Sequence, residues 1–291
     1  MAHGSSAVQP GGGGSSASRR PPWRAVWNAG ADLASRRALL GLWCWRYHGI
    51  PGRHLLRRML LPCGPLLELR LGGGRDLRLC LRRDDRGDHA AFFEHFFDAP
   101  LTATFCEAPG IIADVGAHVG CFSAMAHGLW PQARIVAFEP EAGNAGLLRQ
   151  NFRMNRIPGE VVPMAVWTQP ARMPFVTGQS NGGFLAAGTK PREMGAAARG
   201  TVDVDATSLS AYFGDDLARV GLVKLDIEGA ELAVLEQELP RLAPTATVLC
   251  ELHFDRRHRG DLEAVASRTG WRAHLHDARH PPHTMWVLRR S

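Results

Sequence analysis

Asp114-Val115-Gly116-Ala117-His118-Val119-Gly120 follows the apolar run Ile111-Ile112-Ala113 and leads into a helix-compatible stretch, Cys121 to Leu129. Strand, glycine loop and helix in that succession make a nucleotide-cofactor site. Glycine lets the backbone turn sharply and come close to a ligand, and a helix starting just beyond presents unpaired N–H groups. The same succession also serves as a plain tight turn, so the continuation decides. Arg134 to Phe138 reads as a second buried strand and ends in Glu139-Pro140. Glu139 lies 19 residues after Gly120, near the spacing at which an acid after the second strand takes ribose hydroxyls. The loop is D-x-G-x-x-x-G, not the three-glycine pattern that seats a pyrophosphate. S-adenosylmethionine, which has no phosphate, fits it better than NAD. The cofactor contacts expected are Asp114, Gly116, Ala117, Gly120 and Glu139.

Downstream, Leu222-Val223-Lys224-Leu225-Asp226-Ile227-Glu228-Gly229-Ala230-Glu231 is a short apolar strand whose tail carries three acids within six residues. Acids at the carboxyl edge of a parallel strand face the crevice where α/β enzymes place their chemistry. Glu228 and Glu231 can equally favour the start of the next helix through its dipole; Asp226 fits that reading less well. Lys224 stands out in a chain whose basic residues are otherwise nearly all arginine.

Four segments, DVGAHVG, AFEP, VKLDIEGAE and VLCELH, together resemble the FkbM family of S-adenosylmethionine-dependent methyltransferases, over roughly residues 85 to 255. KxDxEGAE is the specific part of the match; the glycine loop is shared by many methyltransferases. The resemblance implies the class I methyltransferase fold, an α/β, Rossmann-like seven-stranded sheet with helices on both faces. It also implies methylation of a hydroxyl on a small natural product, sugar or glycan. The family usually has Leu-Asp ahead of the helix that precedes KxDxEG, whereas here Leu209 is followed by Ser210. Nor does an acid follow the third expected strand, Val161 to Val166, where many methyltransferases hold adenine; backbone around Ala165 is expected to take that role.

A chain of 291 residues, 45% hydrophobic, can bury one large core or one core and a small appendage. Six scattered cysteines show no CxxC pair and no histidine at metal spacing, which argues against disulfides and zinc and for a reducing cytoplasm. Residues 1–62 hold nine Arg and one Asp, a net of +8; the other 25 basic and 27 acidic residues net −2, so the overall +6 is an N-terminal feature. Of 34 basic residues only Lys190 and Lys224 are lysine. With no basic face interleaved with aromatics in the body, nucleic acid is not an expected partner.

Three regions follow. Residues 1–35 read as a disordered Gly/Ser-rich leader. Residues 36–105 read as a basic helical segment, then a β-hairpin between Leu66 and Arg82, then a helix from Asp88 to Phe97 with Phe92, Phe93 and Phe96 as core, together a small N-terminal cap over the cofactor. Residues 106–291 read as the methyltransferase domain. Within the cap, residues 36–62 are open to packing on the body, which is preferred, or to a peripheral membrane or protein contact. The apolar run Ala38–Trp45 is far short of the ~20 residues that span a bilayer. Expected strands lie at 111–115, 134–138, 160–166, 221–226, 246–252, 271–276 and 284–289. An insertion at 167–203, with a polar turn at 179–184, is placed to carry substrate specificity.

A hydroxyl acceptor needs a base to take its proton as the new bond forms. Asp226 and His253 are the expected catalytic residues, His253 because an ordinary imidazole titrates near ~6.5. Glu251, close to it in the chain, is expected to point to the opposite face. His118 is expected to shape the glycine loop. No metal site is expected; Mg²⁺ on Asp226, Glu228 and Glu251 is the less favoured alternative. Two other classes compete. An NAD or nucleotide-sugar enzyme would need a catalytic Tyr-Lys, and no YxxxK occurs. A non-catalytic partner protein of the same fold would suit the serine at position 210.

Overall fold

Five short apolar runs make the parallel centre of one sheet: β3 (Ile111–Val115), β4 (Arg134–Phe138), β5 (Gly159–Val162), β10 (Val220–Leu225) and β11 (Thr247–Leu252). Apart from the edge strand β5, whose Gly159 and Glu160 are exposed, their near-continuous apolar sequence is what a strand covered on both faces requires. β12 (Trp271–His280) and β13 (His283–Arg290) close the sheet, β13 running antiparallel to both of its neighbours. The order is β12-β13-β11-β10-β3-β4-β5, the class I methyltransferase arrangement that the sequence led us to expect. This computed structural model describes residues 21–47, 52–72, 76–98, 100–178, 183–187, 200–253, 255–280 and 283–290.

Side-chain alternation along the strands sorts the core into two layers. Ile112, Ile135, Leu222 and Leu249 pack with Phe122 and Met125 of α5 (Cys121–Leu129) and Leu148 and Phe152 of α6 (Ala142–Asn155). On the other face, Ile111, Ala113, Val223, Leu225 and Val248 meet α7 (Leu209–Phe213), α8 (Glu231–Glu238) and α9 (Asp255–Arg268). Asp114, Lys224 and Glu251 share the parity of the first set, so their side chains rise on the α5 side.

Gly146 sits in α6 with open space around the position of a Cβ. Gly146→Ala is therefore expected to stabilise the protein by about 0.5–1 kcal/mol, readable as a raised melting temperature.

The third strand is shorter than expected. Pro163, which has no N–H to give a ladder, follows Val162, and the run expected over 160–166 divides there. Ala165–Val166 (β6) instead pairs with β9 (Gly200–Thr207) in a second sheet, ordered β6-β9-β7-β8, with β7 (Ala171–Thr177) and β8 (Phe184–Leu185). The insertion is thus a small sheet of its own; most of its polar turn, 179–182, lies outside the described residues.

The N-terminal part also differs from expectation at its start. Residues 1–20 lie outside the described residues, but α1 (Trp23–Ala29) and α2 (Leu33–Arg46) begin inside the stretch expected as a leader through residue 35. Val26 is fully buried, and Asp32 caps α2 by accepting from Ser35 N at 2.7 Å. α2 buries Leu39, Leu42 and Trp43 against the hairpin β1 (Leu66–Leu71) and β2 (Leu77–Arg82). α3 (Arg53–Leu60) leaves Leu55 65% and Met59 64% exposed, while Arg57 lies over the Trp45 ring at 3.7 Å.

α4 (Arg86–Phe93) follows the hairpin and widens into a π turn over Glu94–Asp98. Phe92 and Phe93 are fully buried and Phe96 is partly so, in a core that includes Val119, Cys121, Ala124 and Leu147 of the body. Polar contacts fasten the same junction. Asn151 of α6 takes Cys80 N at 2.7 Å and gives to Cys80 O at 3.1 Å; Asn155 does the same with Arg78, at 2.8 and 2.6 Å. No helix among the described residues is long and apolar enough to cross a membrane.

Candidate active site

β3 and β10 are neighbours, yet the chain leaves β3 toward β4 and returns to β10 from the other side. Ligands bind at such a reversal, outside the carboxyl ends of the strands. Here Gly116 follows β3 and Asp226 follows β10. Gly116 has φ 75°, and a Cβ on it would lie 1.8 Å from the Asp226 carbonyl oxygen. Only glycine allows the two strand tips to meet. A cavity of about 680 Å³ opens above them, lined by the loop, the tip of β4, the second sheet and the cap.

Glu139 occupies one end of this cavity. Its Oε2 accepts from His118 N at 2.9 Å, and its Oε1 from Glu141 N at 2.9 Å and Asn144 Nδ2 at 3.4 Å. Burial pushes this carboxyl up to about 7 against the pull of those donors. His118 adopts φ 52° to deliver its N–H, so its part in the loop is to shape it. Ala117, Met164, Ala165 and Val166 line the same region.

Two residues expected as cofactor contacts lie elsewhere. Asp114 is fully buried and does not line the cavity; its Oδ2 accepts from Ser123 Oγ at 2.6 Å, and Lys224 Nζ stands 3.8 Å from Oδ1. It braces the start of α5 against β3. Gly120 precedes α5 with φ 89°, and a Cβ there would meet Leu148 at 2.5 Å, so its role is helix packing.

Charged groups crowd the other end. Lys224 gives to Gly116 O at 2.8 Å and to Asp226 Oδ2 at 3.1 Å. Burial alone would pull this ammonium down, but Asp226 and Asp114 outweigh it and hold the group above its ordinary value. Burial pushes Asp226 up in turn, yet Lys224 and His253 overcome it and keep the carboxyl below its ordinary value. His253 Nδ1 lies 2.8 Å from Glu231 Oε1, and its Nε2 lies 3.4 Å from Glu228 Oε2 and 3.8 Å from Asp226 Oδ1. Although burial favours the neutral ring, Glu231 and Glu228 hold it well above 6.5. Those acids favour the charged ring, which suits His253 to donating a hydrogen bond, where the sequence led to the expectation of a base.

Glu231 does more than favour a helix start. Its Oε1 also accepts from Ile227 N at 3.2 Å and Gly229 N at 3.0 Å, ordering a turn in which Glu228 takes φ 59°. Glu251 corrects another expectation. It lines the cavity alongside His253, because residues two apart in an extended chain share a face. Burial, with Asp226 and Glu94, pushes its carboxyl well above the ordinary range.

The cap supplies groups that sequence reasoning missed. The π turn brings Glu94 and His95 to the cavity wall. Burial and Asp226 push Glu94 up to about 7, and burial and Lys224 push His95 down to about 3. Arg82, at the end of β2, holds Asp88 at 2.6 Å and Asn144 Oδ1 at 2.8 Å and stands 3.1 Å from His118 Nε2. Ser210 lies away from the site: its N and Oγ both give to Glu238, at 3.1 Å. A carboxylate at position 210 would face Glu238 as a like charge, so the serine complements its neighbour and removes nothing from the cavity.

A sheet of this order with a glycine loop and acids at the strand tips defines a class I methyltransferase fold. The family model for the methyltransferase FkbM domain matches residues 114–278, and the chain belongs to that family. It is 28% identical over 143 residues to Methyltransferase 1 of Beauveria bassiana (strain ARSEF 2860), covering 43% of this chain and 56% of that protein. To Methyltransferase sdnD of Sordaria araneosa it is 29% identical over 174 residues, covering 50% and 65%. The matches thus span under two thirds of these curated relatives. Among solved structures, precorrin-6y C5,15-methyltransferase from Geobacter metallireducens GS-15 matches with a TM-score of 0.41 and 13% identity, covering 69% of this chain and 87% of that one.

Proposed function

We propose that this protein transfers a methyl group from S-adenosylmethionine to a hydroxyl oxygen of a small natural product, sugar or glycan. The observation that carries the reading is a single cavity with the glycine loop and Glu139 at one end and Asp226, Glu251 and His253 at the other. The donor fits the first end. Gly116 leaves the backbone bare beside it, and the Glu139 carboxylate, fixed by three donors, retains lone pairs for two ribose hydroxyls. Adenine would rest against Ala165. When bound, the donor supplies an electrophilic methyl on its sulfonium; the protein's task is alignment and proton removal. Asp226, ionised and facing the cavity, takes the acceptor's proton as the oxygen–carbon bond forms. His253, held by Glu231, orients that oxygen by donating to it. Six free cysteines suit the reducing cytoplasm we assign to it.

Titration with S-adenosylmethionine tests the reading. The wild type should bind, and Glu139→Ala should lose affinity; equal binding by the two would remove the ribose role. Because Glu139 titrates at about 7 in the free site, its hydroxyl-accepting form is lost as pH falls through that value. Affinity measured by calorimetry should therefore weaken toward acid pH, and Glu139→Gln should flatten that dependence.

A further inference from the structure

We propose that the acidic end of the cavity binds a divalent first-row transition-metal ion through Asp226 Oδ1, the Glu251 carboxylate and His253 Nε2. One ligand atom from each residue lies within 4.8 Å of the others. Three ligands each about 2.0–2.2 Å from a shared ion span at most about 4.4 Å, so small side-chain adjustments close the set.

The arrangement goes beyond a cluster of acids. Lys224 occupies Asp226 Oδ2, which leaves Oδ1 on the side of His253. Glu231 holds Nδ1 of His253 and thereby turns Nε2 toward the carboxylates. A carboxylate that orients a histidine through its far nitrogen is the usual support of a metal-bound imidazole. The mixed donor set of one nitrogen and two carboxylates favours Mn²⁺, Fe²⁺ or Zn²⁺ over Mg²⁺, which prefers oxygen alone.

An independent observation comes from the cap. His95 is 8% exposed, lines the same cavity, and makes no hydrogen bond through its ring among the described residues. Asp226 lies close enough to act on its charge. An imidazole on the cavity wall, packed edge-on against Phe122, has a ring nitrogen to offer a group bound in the shared space. A cation with an acceptor or water bound to it would provide such a group.

For the proposed methyl transfer the ion has a defined use. With the ion bound, Asp226 and His253 would serve as its ligands and not as proton acceptor and donor. The cation would lower the pKa of the hydroxyl that coordinates it, and the proton would pass to water. The ion's remaining positions would take two oxygens of the acceptor. The substrate class is thereby narrowed to molecules with adjacent chelating oxygens, such as a vicinal diol or a hydroxyl beside a carbonyl. This last step rests on the methyl-transfer reading; the metal site does not.

The test is titration of the purified protein with Mn²⁺, following free ion by electron paramagnetic resonance, with S-adenosylmethionine binding measured on the same samples. One Mn²⁺ per chain is expected. Glu251→Gln should weaken it at least tenfold without changing cofactor affinity or the melting temperature. His253→Gln, or Glu231→Gln acting through it by about 10–100-fold, gives a second arm should the first variant fold poorly. Absence of stoichiometric Mn²⁺ in the wild type, or equal retention by the variants, would overturn the proposal. Cofactor binding without Mn²⁺ sinks the metal site alone, whereas Mn²⁺ without cofactor sinks methyl transfer alone.

Discussion

Asp226→Asn should reduce turnover by about a hundred- to ten-thousand-fold, the range for losing a positioned proton acceptor, while S-adenosylmethionine still binds. The amide keeps the shape of the side chain and can still accept from Lys224 through an oxygen, so the β3–β10 junction is retained. What it loses is the negative charge that faces the acceptor. The measurement is demethylated donor formed per minute with a pool of hydroxylated metabolites, alongside a cofactor titration. Turnover within a few-fold of wild type would remove the proton-accepting role. Loss of cofactor binding as well would make Asp226 part of the scaffold.

Gly116→Ala should be far more damaging than its single carbon suggests. The new Cβ would lie 1.8 Å from the Asp226 carbonyl carbon's oxygen, at φ 75°, and both neighbours are backbone, which cannot swing aside. Either β3 and β10 separate at their tips or the glycine loop is rebuilt. The expected cost is about 4 kcal/mol or more, the level reserved for forced backbone strain and overpacking, with cofactor binding abolished. Denaturant unfolding beside Gly146→Ala, the same chemical change at an open helical site, separates position from composition. A loss below 1 kcal/mol would show that the tips do not meet as closely as described.

The parts of this molecule that a sequence displays are those whose cause is local. Ile111–Val115, Arg134–Phe138 and Thr247–Leu252 are apolar because both of their faces are covered, and their bounds follow from that alone. Gly116 and Glu139 are legible because their spacing is set by one β-α-β unit. Pro163 carried enough information to end the third strand at Val162, but the later partner of Ala165, residues 200–207, lies too far along the chain for any local pattern to reveal. Asp114 reads like a ligand contact and is instead committed to Ser123, a distinction set by which way a buried carboxylate turns. The charge state of His253 depends on Glu231 and Glu228 arriving from another strand tip. Glu94 and His95 were invisible for a different reason: they sit in an ordinary helical stretch, and only the π turn and the docking of the cap carry them to the cavity. Glu251 was within reach, since its two-residue spacing from His253 already put both on one side.

Asn151 and Asn155, one helical turn apart, treat the outer margin of β2 as a neighbouring strand would, satisfying its amides and carbonyls alternately. A two-stranded ribbon has little stability by itself, and a bare strand margin invites pairing with another chain. Here that margin is spent on α6, an element of the α/β body. The cap is consequently a welded part and not a hinged one: heat should melt both in one transition.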